Sequence, residues 1–355
     1  MRASLILLMA AGAGLCLAAP AHGQPVKGTP FPLTGGVFRD KPKADTPSIE
    51  VSGIACAPAA GGRQRCLVVA DEDAYAQWAE LSEQGLVPGD FIRVVPKDAP
   101  ADLIGTVPPT ACPEPEKRWK DLDGEAVAYD GAFFYVTGSH GCGRKSGKFT
   151  TSSFVLARIA VNGDGSPKEP EPLRTHRLAE VLAQAATVAP HAGKRLEGTP
   201  DANGLNIEGL AVIGADLYAG LRAPVINGTA FLIKTPVAPL FQSGGPPLSS
   251  HTIPLDLGGR GVRDLAPLPD GRLLVLAGPP RNTPESDNRL TYTVYAVDPG
   301  KAGAVPVAEL AMPDPGAKAE ALLPLGPFPA GRILVLFDGA AGGAPHTYPI
   351  SIPGR

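Results

Sequence analysis

The most regular feature of the chain is a pattern of hydrophobic and polar positions that recurs five times. Each copy has a hydrophilic head, an apolar strand, a turn and a second apolar strand, which predicts a β-hairpin. The best-defined copy is NIEGLAVIGADLYAGLR, which begins at Asn206. The others are SGIACAPAAGGRQRCLVVADE from Ser52, DGEAVAYDGAFFYVTGSH from Asp123, RDLAPLPDGRLLVLAG from Arg263 and AEALLPLGPFPAGRILVLFDG from Ala319.

Further strand-like segments follow the hairpins, including SSFVLARIAV, TAFLIKT and LTYTVYAVD, so that each unit approaches four antiparallel strands. Four-stranded units repeated along a chain are typical of a β-propeller, whose blades bury their faces against one another. The 43 glycines and 40 prolines favour short strands and turns over helices. We therefore predict an all-β propeller of five blades, or six if residues 82–120 hold a degenerate one. A β-sandwich is the weaker alternative, because it gives no reason for a recurring polar head.

The polar heads fall in one column when the five copies are aligned. Antiparallel pairing puts the start of the first strand and the end of the second at the same end of each hairpin, so the column should surround one mouth of the channel. Its members are Ser52, Glu125, Glu208, Asp264 and Glu320. The ends of the second strands bring to the same mouth Asp71, Glu72, Ser139, His140, Arg222 and Asp338.

Converging carboxylates repel one another unless a cation or an arginine compensates them, and this favours a ligand site. The alternative is that these acids only cap strand ends and hold water. Carboxylate oxygens at one focus suit Ca²⁺ or Mg²⁺, and the candidate metal ligands are Glu125, Glu208, Asp264 and Glu320. A small anionic ligand would be held by paired N–H donors, and its candidate binding residues are Arg222, Arg260, Arg263, Ser139, Asn206 and Asp71.

Two residues are candidates for catalysis. A metal-bound water would attack an ester, with Glu208 at the centre of the site beside Arg222, since these two residues begin and end the best-defined hairpin. His140 is the candidate for proton transfer, because the pKa of an ordinary imidazole lies near neutrality. The competing interpretation of His140 is a hydrogen-bonded structural residue in a glycine-rich loop.

One segment, LAEVLAQAATVA at residues 178–189, has helical spacing of its apolar positions. It precedes a first strand and therefore belongs to the face of the charged mouth. Its role is either that of a lid or that of a space-filling insertion.

The N-terminus resembles a secretory signal peptide, with Arg2, an apolar run and small residues before a cleavage site near residues 21–23. We divide the chain into a signal peptide (1–23), an N-terminal extension (24–50) and one propeller domain (51–352). The apolar run is too short for a membrane span, so we expect a periplasmic or secreted protein without a membrane anchor. The net charge of −3 disfavours nucleic acid as a partner, and we expect a monomer.

Four cysteines follow the signal peptide, and in an oxidising compartment an even number indicates disulfides. Cys56 and Cys66 flank the turn of the first hairpin and are expected to pair, which leaves Cys112 and Cys142 to pair with each other. A zinc site is disfavoured, because neither a Cys-x-x-Cys motif nor a suitably spaced histidine is present.

The phrases LNIEGL and LDLGGRGVRDL, together with DLDGEAVA and YVTGSH, resemble a bacterial family known as domain of unknown function 3616. The resemblance extends from about Val51 to about Gly339 and implies a fold but no established activity. The glutamate-headed blades are more loosely similar to the phytase-like esterase family, which implies hydrolysis of phosphate esters. The chain lacks the dense aspartate runs of the calcium-dependent propeller phytases.

The sequence therefore predicts an exported propeller with an acidic and arginine-lined site at one mouth. The first hypothesis is a metal-assisted hydrolase of phosphate or carboxylic esters. The alternative is a non-catalytic periplasmic ligand-binding or scaffold protein, since a ligand site uses the same residues.

Overall fold

The computed structural model describes residues 24–106, 112–144, 146–197, 202–281, 290–301 and 303–354. The predicted signal peptide lies outside the described residues. The chain begins with two short strands, β1 (Val26–Lys27) and β2 (Thr29–Pro30). Blade one follows and consists of β3 (Val51–Pro58), β4 (Gln64–Ala70), β5 (Tyr75–Ser82) and β6 (Gly85–Arg93), paired in chain order.

Blade two is interrupted by insertions. Its region contains β7 (Glu114–Arg118), β8 (Gly124–Tyr129), β9 (Phe133–Gly138), β10 (Lys148–Thr150), β11 (Leu156–Ala160) and β12 (Leu173–Thr175). The four-stranded sheet is formed by β8, β9, β11 and β12, whereas β7 and β10 make a separate parallel pair. Helix α1 (Arg177–Gln184) then leads towards the third blade.

The remaining three blades are more regular. Blade three has β13 (Asn206–Ile213), β14 (Asp216–Ala223), β15 (Thr229–Pro236) and β16 (His251–Asp256), with the single-turn helix α2 (Val237–Leu240) before its last strand. Blade four has β17 (Gly261–Pro267), β18 (Leu273–Gly278), β19 (Thr293–Val297) and β20 (Ala304–Ala311). Blade five has β21 (Lys318–Leu325), β22 (Ala330–Asp338) and β23 (His346–Ser351). Short 3₁₀ turns occupy Ala60–Gly62, Thr151–Phe154, Ala189–His191 and Ala341–Gly343.

The N-terminal residues complete the propeller. Strand β2 pairs antiparallel with β23 and supplies the fourth strand of blade five, while β1 adds in parallel to β20 at the edge of blade four. The first and last parts of the chain therefore share a sheet. Residues 26–30 of the predicted extension are part of the folded sheets.

The five blades form a closed ring, as the repeat predicts. Neighbouring first strands contact one another in the order β3, β8, β13, β17, β21 and back to β3. An apolar cluster fills each interface between adjacent blades. Burial of these interface side chains is what stabilises blades that cannot stand alone. In the described part of residues 82–120, β6 and β7 are the strands, and no sixth blade is present.

The two ends of the central channel differ in polarity. The end opposite the predicted site holds a cavity of about 450 Å³ to which every first strand contributes an apolar side chain. These side chains include Ile54, Val127, Leu210, Leu265 and Leu322. The polar residues are collected at the other end.

The predicted disulfides are both confirmed. Cys56 and Cys66 face each other across the β3–β4 hairpin, and Cys112 is joined to Cys142. The predicted helix is present as α1, followed by the 3₁₀ turn at residues 189–191. Its buried side chains Leu178, Val181 and Leu182 pack into the apolar cluster between blades two and three. Among the described helices, none has the length and apolar character needed to cross a lipid bilayer.

Candidate functional site

Every first strand carries a β-bulge near its start. The register shifts lie between Val51 and Gly53 in β3 and at the equivalent places in β8, β13, β17 and β21. A bulged residue has no ladder partner, so the strand bends locally and its side chain is re-aimed. The bulged residues are Ser52, Glu125, Glu208, Arg263 and Glu320.

The structure corrects one position of the predicted column. In β17 the bulge falls on Arg263, and Asp264 pairs in the ladder with Leu276. The carboxylate of Asp264 accepts hydrogen bonds from the backbone N–H groups of Leu265 and Leu322, both at 2.7 Å. Asp264 thus links the first strands of blades four and five, and both its oxygens are engaged. The alignment of the five copies on their acidic residues placed Asp264 in the column, one residue after the true member Arg263.

Arg263 joins a buried chain of ion pairs across three blades. Its guanidinium contacts Glu208 at 2.8 Å on one side and Glu320 on the other. Arg222, at the end of β14, contacts the second oxygen of Glu208 at 2.7 Å and donates from Nε to the carbonyl oxygen of Pro280 at 3.1 Å. The side chains of Glu208, Arg222 and Arg263 are each 3% exposed. Opposite charges therefore compensate one another here without a bound ion.

Burial disfavours the charged form of both arginines, but the net shift of the pKa differs between Arg222 and Arg263. For Arg222 desolvation is the largest single effect, but the combined attraction of Glu208, Glu125 and Glu197 outweighs it, and the pKa is raised. For Arg263 desolvation is the larger effect, and its pKa is lowered. Glu197 lies 3.9 Å from Arg222 on the side away from Glu208. Glu208 and Arg222 are in contact, as the hairpin geometry predicts.

A second acidic group lies between blades one and two and has a different character. Asp71 follows β4, Asp123 precedes β8, and Glu125 is the bulged residue of β8. Carboxylate oxygens of these three residues lie within 4.8 Å of one another, and all three side chains are half-buried. This is the spacing at which three carboxylates can ligate one hard cation such as Ca²⁺ or Mg²⁺.

The electrostatics of this acidic group show repulsion that is only partly compensated. Burial and the neighbouring Asp71 hold the pKa of Asp123 well above its usual range, although the Ser139 hydroxyl donates a hydrogen bond to it. Burial and the charge of Glu208 raise the pKa of Glu125 in the same way. A cation at this place would reverse these shifts, because it favours the charged form of every carboxylate around it.

The sequence reasoning missed two residues of this site, Asp123 and Arg144. The guanidinium of Arg144 lies 3.4 Å from Asp71, and its side chain is 42% exposed, so that donors remain accessible at the mouth. The loop that carries it follows β9 and is tied down at Cys142 by the disulfide to Cys112. The signal for Arg144 was available in the sequence GSHGCGRKSG, because a loop after a second strand belongs to this mouth.

Further acids surround the same rim. Glu50 precedes β3, and its carbonyl oxygen accepts a hydrogen bond from the backbone N–H of Asp71 at 2.9 Å. Burial, reinforced by Asp71, raises the pKa of Glu50 to about 7. Asp338 at the end of β22 is paired with Lys318 at 2.7 Å.

The other predicted site residues lie near the rim but are engaged elsewhere or withdrawn from it. Arg260 donates to the carbonyl oxygens of Thr291 and Leu257 at 2.6 and 3.2 Å. Asn206 is buried at the start of β13. His140 is 2% exposed, and burial lowers its pKa to about 3, so that it stays neutral at physiological pH. Ser139 is buried and positions Asp123.

Comparison with solved structures gives distant likenesses. The chain is 12% identical to a hydrazine synthase of Kuenenia stuttgartiensis, with a TM-score of 0.39, 85% of this chain covered and 59% of that chain. It is 13% identical to a β-fructofuranosidase of Bombyx mori, with a TM-score of 0.38 and coverages of 85% and 60%. It is 10% identical to an α-L-arabinofuranosidase of Fusarium graminearum in complex with an iminosugar inhibitor, with a TM-score of 0.40, 90% of this chain covered and 85% of that chain. The chain thus spans about three fifths of the length of the first two proteins. Likenesses of this size carry no information on activity.

Sequence comparisons are more specific. A comparison with curated proteins gave no match. Residues 154–285 match the family described as "Protein of unknown function (DUF3616)". This segment runs from the end of the 3₁₀ turn in blade two, through blade three, to just beyond β18 of blade four. It includes the LNIEGL and LDLGGRGVRDL motifs that carried the resemblance. Over residues 154–285 the match confirms the resemblance of the chain to the DUF3616 family.

Proposed function

We propose that the protein binds a divalent cation with Asp71, Asp123 and Glu125 and hydrolyses a small anionic ester beside it. The observation that carries the proposal is the convergence of these three half-buried carboxylates within 4.8 Å. The charges of Glu208 and Glu320 are compensated by ion pairs with arginines, whereas Asp123 and Glu125 have strongly raised pKa values. These differences support a metal site between blades one and two rather than one formed by the whole acidic ring.

Each neighbouring residue has a role in this proposal. Asp71, Asp123 and Glu125 would hold the cation, which would supply Lewis-acid activation of water and of the ester. Arg144 holds the anionic group of the substrate, because it has accessible donors next to Asp71. Ser139 fixes the orientation of Asp123 by its hydrogen bond. Glu208 is a positioning residue, which holds Arg222 near Glu125.

Thermal melting after chelation of metals tests the cation site. An ion that binds only the folded state stabilises it by about 2.7 kcal/mol at one hundred times its Kd, which raises the Tm of a chain of this size by roughly 4 °C. We expect Ca²⁺ or Mg²⁺ to shift the wild type, and Asp123→Asn and Glu125→Gln to abolish the shift. Glu169→Gln, a change at an exposed acid of blade two, is the matched control and should keep it. A wild type that responds to neither ion would refute the site.

Turnover is tested separately with 4-nitrophenyl phosphate, bis(4-nitrophenyl) phosphate and 4-nitrophenyl acetate in the presence of the stabilising ion. Arg144→Gln should lower turnover of the phosphate esters while leaving the cation-dependent Tm shift in place, because Arg144 is assigned to the substrate. Cation binding without turnover of any ester would remove the hydrolase part and favour the binding-protein alternative.

We also propose that the protein is exported. The signal-like residues 1–23 and the two disulfides support this, since disulfides persist in oxidising compartments. N-terminal sequencing of the protein from the periplasm or the culture medium should give a start near Gln24. A cytosolic protein that retains Met1 would contradict the proposal.

A further inference from the structure

A cavity of about 240 Å³ lies beside the rim of the channel, between blade two and helix α1. Its wall is mostly apolar and includes Phe154, Ala179, Leu182 and Leu205. It is separate from the three carboxylates proposed as metal ligands, none of which lines it. Among the described residues that line it, the one charged side chain is Glu180, which is 37% exposed and pairs with Arg177 at 3.6 Å.

His140 is the residue in this wall that points to a ligand. Its side chain is 98% removed from solvent, and neither ring nitrogen has a hydrogen-bond partner among the described residues. Its ring packs against Phe154, with the ring centroids 5.6 Å apart. Buried polar atoms are paired in nearly all cases, and an unpaired one costs about 1–3 kcal/mol. The ring lines the cavity, so a molecule bound there is the candidate partner for one of its two unpaired nitrogens.

The chemistry of His140 restricts what that molecule is. Burial, with a smaller effect of His176, lowers its pKa to about 3, so the ring is neutral. A neutral imidazole offers one N–H donor and one acceptor nitrogen. A hydroxyl group can both donate and accept a hydrogen bond, and so matches either nitrogen. A carboxylate only accepts, and Glu180 at the cavity would repel it.

The volume and the wall define the rest of the ligand. An apolar cavity of about 150 Å³ already holds a benzene molecule, so the present cavity has room for an aromatic ring or a short alkyl chain with substituents. We propose that it binds a small uncharged molecule that combines an apolar body with one hydroxyl group, as in phenols and short alcohols, and that this hydroxyl hydrogen-bonds His140. This binding site goes beyond the proposed ester hydrolysis and does not depend on it.

The test uses 4-methylphenol as probe and toluene as its counterpart without the hydroxyl group, both titrated by calorimetry into the full chain. We expect 4-methylphenol to bind, and toluene to bind about tenfold more weakly, because His140 then stays unpaired. The same titration followed by long-range ¹H–¹⁵N NMR of the histidine rings should move the His140 signals on addition of 4-methylphenol.

Two variants locate the site. Ala179→Leu puts additional methyl groups into the cavity and should weaken 4-methylphenol binding at least about tenfold, since volume in a packed wall is not easily accommodated. Gln184→Leu adds the same side chain at an exposed position of α1 outside the cavity and should leave binding unchanged. His140→Asn should remove the preference for 4-methylphenol over toluene; asparagine tolerates the positive φ of 53° at this residue.

The outcomes separate the proposal from its alternatives. No binding of 4-methylphenol to the wild type would overturn it and leave water as the occupant of the cavity. Equal binding to wild type and Ala179→Leu would place the probe elsewhere, for instance at the apolar end of the channel, and would also overturn it. If Ala179→Leu does not fold, the His140 NMR signals of the wild type decide: unchanged signals at saturating probe refute the site.

Discussion

Glu208 is a buried carboxylate between two buried arginines, and its environment makes it indispensable to the fold. The free energy of such a network lies mostly in what remains when one partner is removed, because an unpaired charge is then left away from water. Arg222 and Arg263 would both lose their contact at once. A substitution of Glu208 should therefore lower the stability of the fold first and affect the site only indirectly.

We accordingly predict that Glu208→Gln lowers the free energy of unfolding by about 3–5 kcal/mol, measured by urea denaturation. The control is Glu80→Gln, which breaks an ion pair of 3.2 Å to Arg63 in which the two side chains are 49% and 64% exposed. It should cost less than about 1 kcal/mol. Equal small losses in both variants would show that the buried chain of ion pairs is not formed.

Glu50 gives a prediction for pH. Its pKa is raised from an ordinary value of 4.5 to about 7, so the folded state binds more protons than the unfolded state between these values. Stability contributed by the protonated form is thus complete below pH 4.5 and is lost as the pH rises to 7. In metal-free buffer, Glu50→Gln should raise Tm relative to the wild type at pH 8 but not at pH 4. A pH-independent difference would contradict the assignment.

The residues of the rim show what sequence can and cannot reveal at this scale. The recurring head identified Glu125, Glu208 and Glu320, because a polar residue in an otherwise apolar repeat needs a structural reason. It misplaced the fourth member, because blade four carries an arginine at this position and an aspartate directly after it, and the column was assigned to the acid. Asp123 and Arg144 were missed because residues outside the strands have no periodicity.

At the scale of elements, the N-terminal strand β2 closes blade five, and Gly28 lies at the tightest point of this closure. A Cβ atom at Gly28 would lie 2.6 Å from the ring of Tyr348, which is fully buried and donates from its hydroxyl to Ala311 at 2.9 Å. Neither group can move freely. The closure of blade five thus requires a residue without a side chain at position 28.

We predict that Gly28→Ala lowers the free energy of unfolding by about 1–3 kcal/mol, the usual range for overpacking. Gly163→Ala is the matched control, because a Cβ there meets no atom within 4 Å and its φ is not positive. Chemical denaturation of the two variants side by side measures the difference. If both variants equal the wild type, β2 is not held against blade five in solution.

The elements themselves were predictable to different degrees. The hairpins and the helix followed from apolar periodicities of two and of about four residues. Strands β1 and β2 have two residues each, too few for any period, and only their pairing with distant strands makes them strands. The strands β7 and β10 are likewise formed by pairing with a segment that is distant in the sequence. Short elements of this kind are determined by tertiary contacts that local sequence does not encode.

At the scale of the whole molecule, the channel has a charged mouth at one end and an apolar cavity at the other. Among the described residues of the charged mouth the acids outnumber the basic side chains, although the net charge of the chain is only −3. A locally negative rim concentrates cations near it, and dissolved salt weakens this effect.

The negative rim predicts that the two proposed ligands differ in their response to salt. Raising the ionic strength from about 0.01 M to 0.1 M shortens the Debye length from about 30 to 10 Å, so the affinity for Ca²⁺ or Mg²⁺ should fall several-fold. Binding of 4-methylphenol involves no charge and should stay constant. Calorimetric titrations at both salt concentrations check this, and a salt-independent cation affinity would speak against a site at the charged rim.

The bulges that start the five first strands have a consequence for redesign. Since a bulged residue has no partner in the ladder, its side chain can be exchanged without changing strand pairing, and the scaffold already carries serine, glutamate and arginine at equivalent places. Ser52 is the uncharged member and belongs to the same blade as Asp71. Replacing it by aspartate or histidine would supply an additional donor atom at the rim while leaving the buried chain of ion pairs intact, so this position is a starting point for building a new metal centre into a natural propeller.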